Sequence, residues 1–139
     1  MGEIKLTYQV DGGDLIQAGE ASSKMKMTLK KLGLPAEAIR RASICMYEGE
    51  INMVIHADGG RVEVDVGMDA ITLRLIDHGP GIPDVNQAME EGFSTAGEIA
   101  RDLGFGAGMG LPNMRRYSDE MDIQTTVGMG TTVTMKINI

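Results

Sequence analysis

Glu48, Asn52 and His56 fall at i, i+4 and i+8 in the stretch Tyr47-Glu48-Gly49-Glu50-Ile51-Asn52-Met53-Val54-Ile55-His56. On an α-helix that spacing sets three polar side chains along one slowly drifting stripe about 12 Å long. The residues between them are largely apolar (Ile51, Met53, Val54, Ile55), so the stripe is polar on a helix that is otherwise mostly buried. A carboxylate and a carboxamide facing one cleft from a rigid helix can divide two tasks. An oxygen of one can hold Mg²⁺, a hard cation that takes oxygen ligands and usually keeps several waters. The other group can orient or deprotonate a nucleophile. A half-exposed helix with three solvated residues would show the same spacing, and it is the chain downstream that separates the two cases.

Three glycine clusters follow. Asp77-His78-Gly79-Pro80-Gly81-Ile82-Pro83 comes directly after the apolar run Ile71 to Ile76. Gly104-Phe105-Gly106-Ala107-Gly108-Met109-Gly110-Leu111 leads into a helical segment, and Gly128-Met129-Gly130-Thr131-Thr132 opens the last strand. Glycine lets backbone approach a ligand closely, and a glycine run feeding a helix N-terminus presents N–H groups and a positive dipole end to phosphate. Neither the phosphate loop GxxxxGK[ST] nor the dinucleotide fingerprint GxGxxG occurs, which disfavours a dinucleotide-dependent oxidoreductase. A phosphate site here has to be of another kind.

Glu48 and Asn52, then Asp77-x-Gly79-x-Gly81, Gly106-x-Gly108-x-Gly110 and Gly128-x-Gly130-Thr131 resemble the ordered box set of the GHKL ATPase superfamily. That group includes gyrase, the Hsp90 chaperone, histidine kinases and bacterial anti-sigma factors. Within it, Asp77 to Asp84 and Glu91-Gly92-Phe93-Ser94-Thr95 resemble small serine/threonine kinases of the anti-sigma and stressosome switch type. The likeness covers about residues 3 to 139. The long interval from Thr95 to Gly106, containing Glu98-Ile99-Ala100-Arg101-Asp102, looks more like the lid of anti-sigma kinases, and Glu50 stands outside the motif.

The resemblance implies an ATP/ADP site in the Bergerat ATP-binding fold, with Asn52 as the Mg²⁺ ligand and Glu48 as the catalytic acid that polarises the attacking water or serine hydroxyl. Asp77 would read the adenine amino group, assisted through water by Thr131. Gly79 and Gly81 would pass the base and ribose, while Gly106, Gly108, Met109, Gly110 and Leu111 wrap the phosphates and Arg101 reaches them from the lid. The activity implied is a Mg-ATP-dependent serine/threonine protein kinase, phosphorylating a STAS-domain, anti-anti-sigma-like partner in bacterial control of stress or development. The alternative, from another class, is an ATP-gated binding module with little or no kinase activity. It would sequester a sigma factor or activate a PP2C-type phosphatase, and the resemblance also allows a homodimer. His56 reads as a satisfied helix-end histidine rather than a phosphoacceptor, because the acceptor of sensor histidine kinases sits on a separate helical hairpin. Ser94 and Thr95 read as lid hydrogen-bonders.

The bulk properties narrow the class. The 139 residues suffice for one domain with a single core, taken here as residues 1–139. No apolar run approaches the roughly 20 residues of a membrane span. The start Met1-Gly2-Glu3-Ile4-Lys5 reads as a strand rather than a leader. One cysteine, Cys45, excludes an internal disulfide framework, fits the cytoplasm, and reads as a buried structural thiol. A net charge of −7 argues against a nucleic-acid partner. Lys24, Lys26, Lys30, Lys31, Arg40 and Arg41 nevertheless crowd one region, either a solvated face or a docking surface for an acidic partner.

The elements that must position these residues can be read from periodicity. Residues 3–10 alternate as a strand with Ile4, Leu6, Tyr8 and Val10 on one face. Asp14 is the expected N-cap of a first helix with Leu15, Ala18, Ala21, Met25, Leu29 and Leu32 as its apolar positions. Gly33 closes it, and Pro35 opens a second helix to Ala57, apolar on more than one side and hence buried between layers. Strands at 61–66 and 71–76 form a hairpin, Asp84 and Gln87 suggest a capped short helix to about Glu91, and 92–108 reads as a lid or binding loop. A third helix over 111–118 and strands near 121–127 and 131–139 complete the chain. The order β-α-α-β-β-α-β-β predicts a two-layer α/β sandwich, a mixed, mostly antiparallel sheet with helices on one face.

Overall fold

A computed structural model describes residues 4–12, 17–57, 59–82, 84–90 and 110–139. Five strands, β1 (Ile4–Asp11), β2 (Gly59–Val66), β3 (Ala70–Asp77), β4 (Glu120–Thr126) and β5 (Gly130–Asn138), form one sheet in the order β1-β2-β3-β5-β4. Helices α1 (Glu20–Lys31), α2 (Ala36–His56) and α4 (Gly110–Tyr117) accompany the sheet, and α3 (Val85–Ala88) is a single turn. The expected two-layer α/β sandwich is the observed architecture. Among the described residues every pairing is antiparallel, where the sequence predicts a mixed sheet. The reason lies in the connections. Between β1 and β2 the chain makes two helices instead of one, which returns it to the end it left, and Asp11 pairs with Gly59. A parallel neighbour would need a single crossover helix.

Register divides the sheet into two faces. Val62, Val64 and Val66 on β2, Ile71, Leu73 and Leu75 on β3, and Val133, Met135 and Ile137 on β5 are buried beneath the helices. The residues between them point the other way and are mostly polar; Arg74 pairs there with Glu63 (3.3 Å) and Asp65 (2.9 Å). The strict two-residue period of these strands therefore encodes which side the helices cover.

Helix α2 is the middle of the helical layer, packed on α1, on α4 and on the sheet. Its buried residues run Ala38, Ile39, Ala42, Cys45, Met46, Gly49, Glu50, Ile51, Met53 and Val54. The approach at Gly49 is close: an added Cβ would overlap Leu75 Cδ2 and lie 3.4 Å from Met114 Sδ. Glycine at that point lets the helix sink onto β3 while α4 closes from the side. At its N-terminus α2 follows Pro35, and Gly33, at φ +78°, turns the chain just past the end of α1, as the sequence predicts.

The start of α1 differs from expectation. The helix begins at Glu20 behind Gly19, which has φ +98° and no side-chain cap; Asp14 and Leu15 lie outside the described residues. What replaces a local cap is Glu50 of α2. Its Oε2 accepts from the backbone N–H of Gly19 (3.0 Å) and Ala21 (3.1 Å), and its Oε1 from Ser22 (3.0 Å). The first turn of a helix leaves donors without partners, and a buried carboxylate from the neighbouring helix satisfies them here.

Of the basic cluster, Lys24 pairs with Glu20 (3.1 Å), Arg40 with Glu37 (2.8 Å) and Arg41 with Asp119 (2.9 Å). Lys26, Lys30 and Lys31 are exposed. Among the described residues no helix is long and apolar enough to cross a membrane.

Candidate functional site

Asp77 ends the row Ile71, Leu73, Leu75 and so continues it as its one polar member, on the helix-covered side of the sheet. Across from it, Thr131 ends the row Val133, Met135, Ile137 in the same way, and the two are paired in register. Asp77 Oδ1 accepts from the backbone N–H of Gly79 (2.9 Å) and of Thr131 (3.2 Å), which fixes the plane of the carboxylate. Thr131 is buried, and its hydroxyl lies 2.9 Å from that of Thr125. Thr125 Oγ1 also accepts from Ile82 N–H (2.8 Å), tying the segment after Gly81 to β4. Gly128 N–H donates to the Pro80 carbonyl at 2.8 Å. The first and third glycine clusters thus meet at one end of the sheet, where Gly81 of the first, at φ +81°, packs against Thr126 and Val127.

Helix α2 brings its polar stripe to the same end. A Cβ added at Gly60 would meet Met53 Cε (2.6 Å) and Asp77 Cα (3.1 Å), and one added at Gly79 would meet Ala57 Cα (2.6 Å), so the last turns of α2, which carry Asn52, run beside the end of β3. His56 and Ala57 then line, with His78, Gly79 and Pro80, a groove of about 590 Å³ between the end of α2 and the turn after β3. Burial pushes the His56 imidazole below its usual pKa, favouring the neutral form.

The first turn of α4 faces Asn52 and Glu48. An added Cβ on Gly110 would lie 3.0 Å from Asn52 Nδ2 and 3.1 Å from Oδ1, so the carboxamide rests directly on glycine backbone. One turn along, Asn113 Nδ2 donates to Glu48 Oε2 at 2.5 Å. Leu111 and Met114, on the same helix, are buried in the core. Beneath, the Cys45 thiol donates to the Met114 carbonyl (3.6 Å), and burial pushes its pKa up to about 12. That is the inert structural thiol the sequence suggests.

The structure therefore brings Glu48, Asn52, Gly110 and Leu111 together along α2 and α4, and Asp77, Gly79, Gly81 and Thr131 together at the sheet end beside them. Arg101, Gly106, Gly108 and Met109, with Ser94 and Thr95, lie outside the described residues. Among the described residues no group of three or more His, Cys, Asp or Glu converges as a metal cage.

Two polar residues of this region escape the motif reading, Asn113 and Glu50. Glu50 carries a signal in the sequence: it lies four residues after Met46 and four before Val54, inside an apolar stripe, where a charge must have partners. Asn113 carries none, because its role depends on how α4 crosses α2.

Comparison with known proteins agrees with this geometry. Residues 39–139 match the family described as histidine kinase-, DNA gyrase B-, and HSP90-like ATPase. The chain is 32% identical over 108 residues to the serine/threonine-protein kinase RsbT of Bacillus subtilis (strain 168), covering 75% of each chain. It is 33% identical over 100 residues to the anti-sigma F factor of Thermoanaerobacter sp. (strain X514), covering 72% of this chain and 62% of that protein. The anti-sigma F factor of Geobacillus stearothermophilus is 33% identical over 101 residues, with 73% of this chain and 62% of that one covered. The chain thus spans less than two thirds of the length of these anti-sigma factors. With the matched region running from α2 to the last strand, the chain belongs to the histidine kinase-, DNA gyrase B- and HSP90-like ATPases, the GHKL superfamily.

Proposed function

We propose that this protein is a Mg-ATP-dependent serine/threonine protein kinase of the anti-sigma and switch type, acting on a STAS-domain partner in the bacterial cytoplasm. The observation that carries the reading is the contact of Glu48 and Asn52 with the first turn of α4, on the helix whose end lies beside the turn that follows Asp77. Asp77, its Oδ1 held by two backbone donors, is an oriented acceptor suited to an exocyclic amine such as that of adenine. Thr131 stands beside it to complete the base contact through water. Gly79 and Gly81 form the turn along which base and ribose would lie, and Gly110 and Leu111 begin the helix that faces the phosphates. Arg101, Gly106, Gly108 and Met109 are proposed to complete the phosphate contacts.

The donor set fits Mg²⁺. A single carboxamide, Asn52, rests in a cradle that a Cβ on Gly110 would crowd, and no cage of acids or histidines surrounds it among the described residues. Mg²⁺ is held by few protein ligands, with waters and phosphate oxygens completing the octahedron. When bound, the ion would neutralise charge on the transferring phosphoryl group. Phosphoryl transfer is otherwise mostly positioning, so Glu48 serves by aiming the attacking hydroxyl and accepting its proton.

The test incubates the protein with γ-labelled ATP, Mg²⁺ and the STAS-domain proteins of its source organism. Transfer to a serine or threonine of one of them is expected, and Glu48→Gln should abolish it while ADP and partner binding persist. A second reading, the binding module, is favoured by the relatives whose names are anti-sigma F factor. It is the correct one if no label moves while ATP and ADP shift the affinity for a sigma factor or phosphatase differently.

A further inference from the structure

Helices α2 and α4 meet as a short antiparallel ladder. Asn52 and Glu48 are one turn apart on α2, and Gly110 and Asn113 are one turn apart on α4. Gly110 lies on the Asn52 carboxamide and Asn113 donates to the Glu48 carboxylate, so the rungs join 52 to 110 and 48 to 113. The core repeats this register below the site, where Met114 Sδ sits against Gly49 and the Met114 carbonyl accepts from Cys45. Leu111 and Met114 anchor α4 in the core, which gives Asn113 a fixed base.

We infer that Asn113 is a positioning residue for Glu48, a role that rests on the kinase reading. A glutamate side chain has three rotatable bonds, and its carboxylate would otherwise sweep a wide arc. Holding Oε2 from a second, core-anchored helix restrains the carboxylate and narrows the arc over which the remaining oxygen can point. A general base set within a few tenths of an ångström before the substrate arrives saves ordering cost in the transition state. The same contact makes the aim of the acid depend on α4, the helix whose first residue is the last glycine of the Gly106-x-Gly108-x-Gly110 run. In this role Asn113 acts through Glu48, the group it contacts.

The experiment measures label transfer from Mg-ATP to the STAS-domain substrate of the preceding test, together with ADP affinity by calorimetry, for wild type, Asn113→Ala, Asn113→Asp and Asn113→Gln. Losing a hydrogen bond to a charged group should lower kcat about thirtyfold in Asn113→Ala. Asn113→Asp, which sets a carboxylate against that of Glu48, should lower it further. KM for ATP and the Kd for ADP should stay within about threefold, because an interaction lost mainly in the transition state shows in kcat. Asn113→Gln keeps an amide donor and should recover most of the rate. A kcat for Asn113→Ala within twofold of wild type overturns the inference and leaves the kinase reading standing. So does a parallel loss of kcat and ADP affinity, or a Gln variant no better than Ala, since each marks a merely structural role. No transfer by the wild type overturns the kinase reading and this inference with it.

Discussion

Glu50→Gln is the sharpest test of how the helical layer is held. Glu50 is 3% exposed, and its carboxylate receives three backbone N–H groups from the start of α1, two on Oε2 and one on Oε1. Glutamine is nearly isosteric, so no cavity opens. Its amide oxygen can take the Oε2 position and keep the bonds to Gly19 and Ala21. The NH₂ group then faces the Ser22 N–H, donor against donor. Losing one buried hydrogen bond to a charged acceptor costs about 1.5–3 kcal/mol. Removing the negative charge from the helix N-terminus adds about 0.3–2 kcal/mol, the upper end applying where the site is dry. The expected loss is therefore about 3 kcal/mol, a large part of the roughly 5–15 kcal/mol available to a domain. At about 3–5 °C per kcal/mol for a chain of this size, Tm should fall about 10 °C. Urea unfolding gives the free energy, and amide exchange at Ala21 and Ser22 shows whether the first turn of α1 opens. Glu20→Gln is the control: it removes the same charge from the same helix end, but at an exposed side chain, and should cost at most about 1 kcal/mol. If Glu50→Gln is no more destabilising than Glu20→Gln, the buried carboxylate is not what holds α1, and the reasoning fails.

Three further outcomes follow from the same geometry. Gly110→Ala should weaken Mg-ADP binding several-fold, because its Cβ would press on the Asn52 carboxamide; unchanged affinity by calorimetry contradicts this. Cys45, with its thiol pushed up to about 12, should resist disulfide reagents at pH 8 in the folded protein and react fully in urea; rapid labelling of the native state contradicts it. Burial lowers the His56 pKa below its usual 6.5, so the unfolded chain binds more protons between the folded value and 6.5. Stability carried by the neutral ring is present above pH 6.5 and lost as pH falls through that window. Denaturant midpoints from pH 8 to 5.5 should show the decline, and His56→Gln should flatten it.

The sequence is most legible where burial and period coincide. Alternation in β2, β3 and β5 announces the covered face, and by the same rule Asp77 and Thr131 belong to it as the polar ends of apolar rows. A side chain that continues a buried row past the edge of the core has to look into whatever lies between sheet and helices, so the site is readable from the strands before any helix is placed. The capping of α3 is local too: Asp84 accepts from Gln87 N–H three residues on, at 3.0 Å. The α1 start is different in kind. Local reading assigns the cap to the nearest suitable side chain, Asp14, whereas the acceptor used is 28–31 residues away on another helix.

That displacement has a mechanical meaning. Because Glu50 lies between Glu48 and Asn52 on α2, it points to one neighbouring helix while they point to the other. Three successive even-numbered residues thus hold α1 through backbone donors and meet α4 through Asn113 and Gly110. A helix turns about 100° per residue, so steps of two alternate between opposite flanks, and one buried rod can fix both neighbours. The cost is a carboxylate in an apolar stripe, which is tolerated because three N–H groups converge on it. The benefit is that the acid and the carboxamide of the candidate site stand on a rod that cannot roll without breaking those bonds. A site whose chemistry is positioning needs that rigidity more than it needs any further charged group.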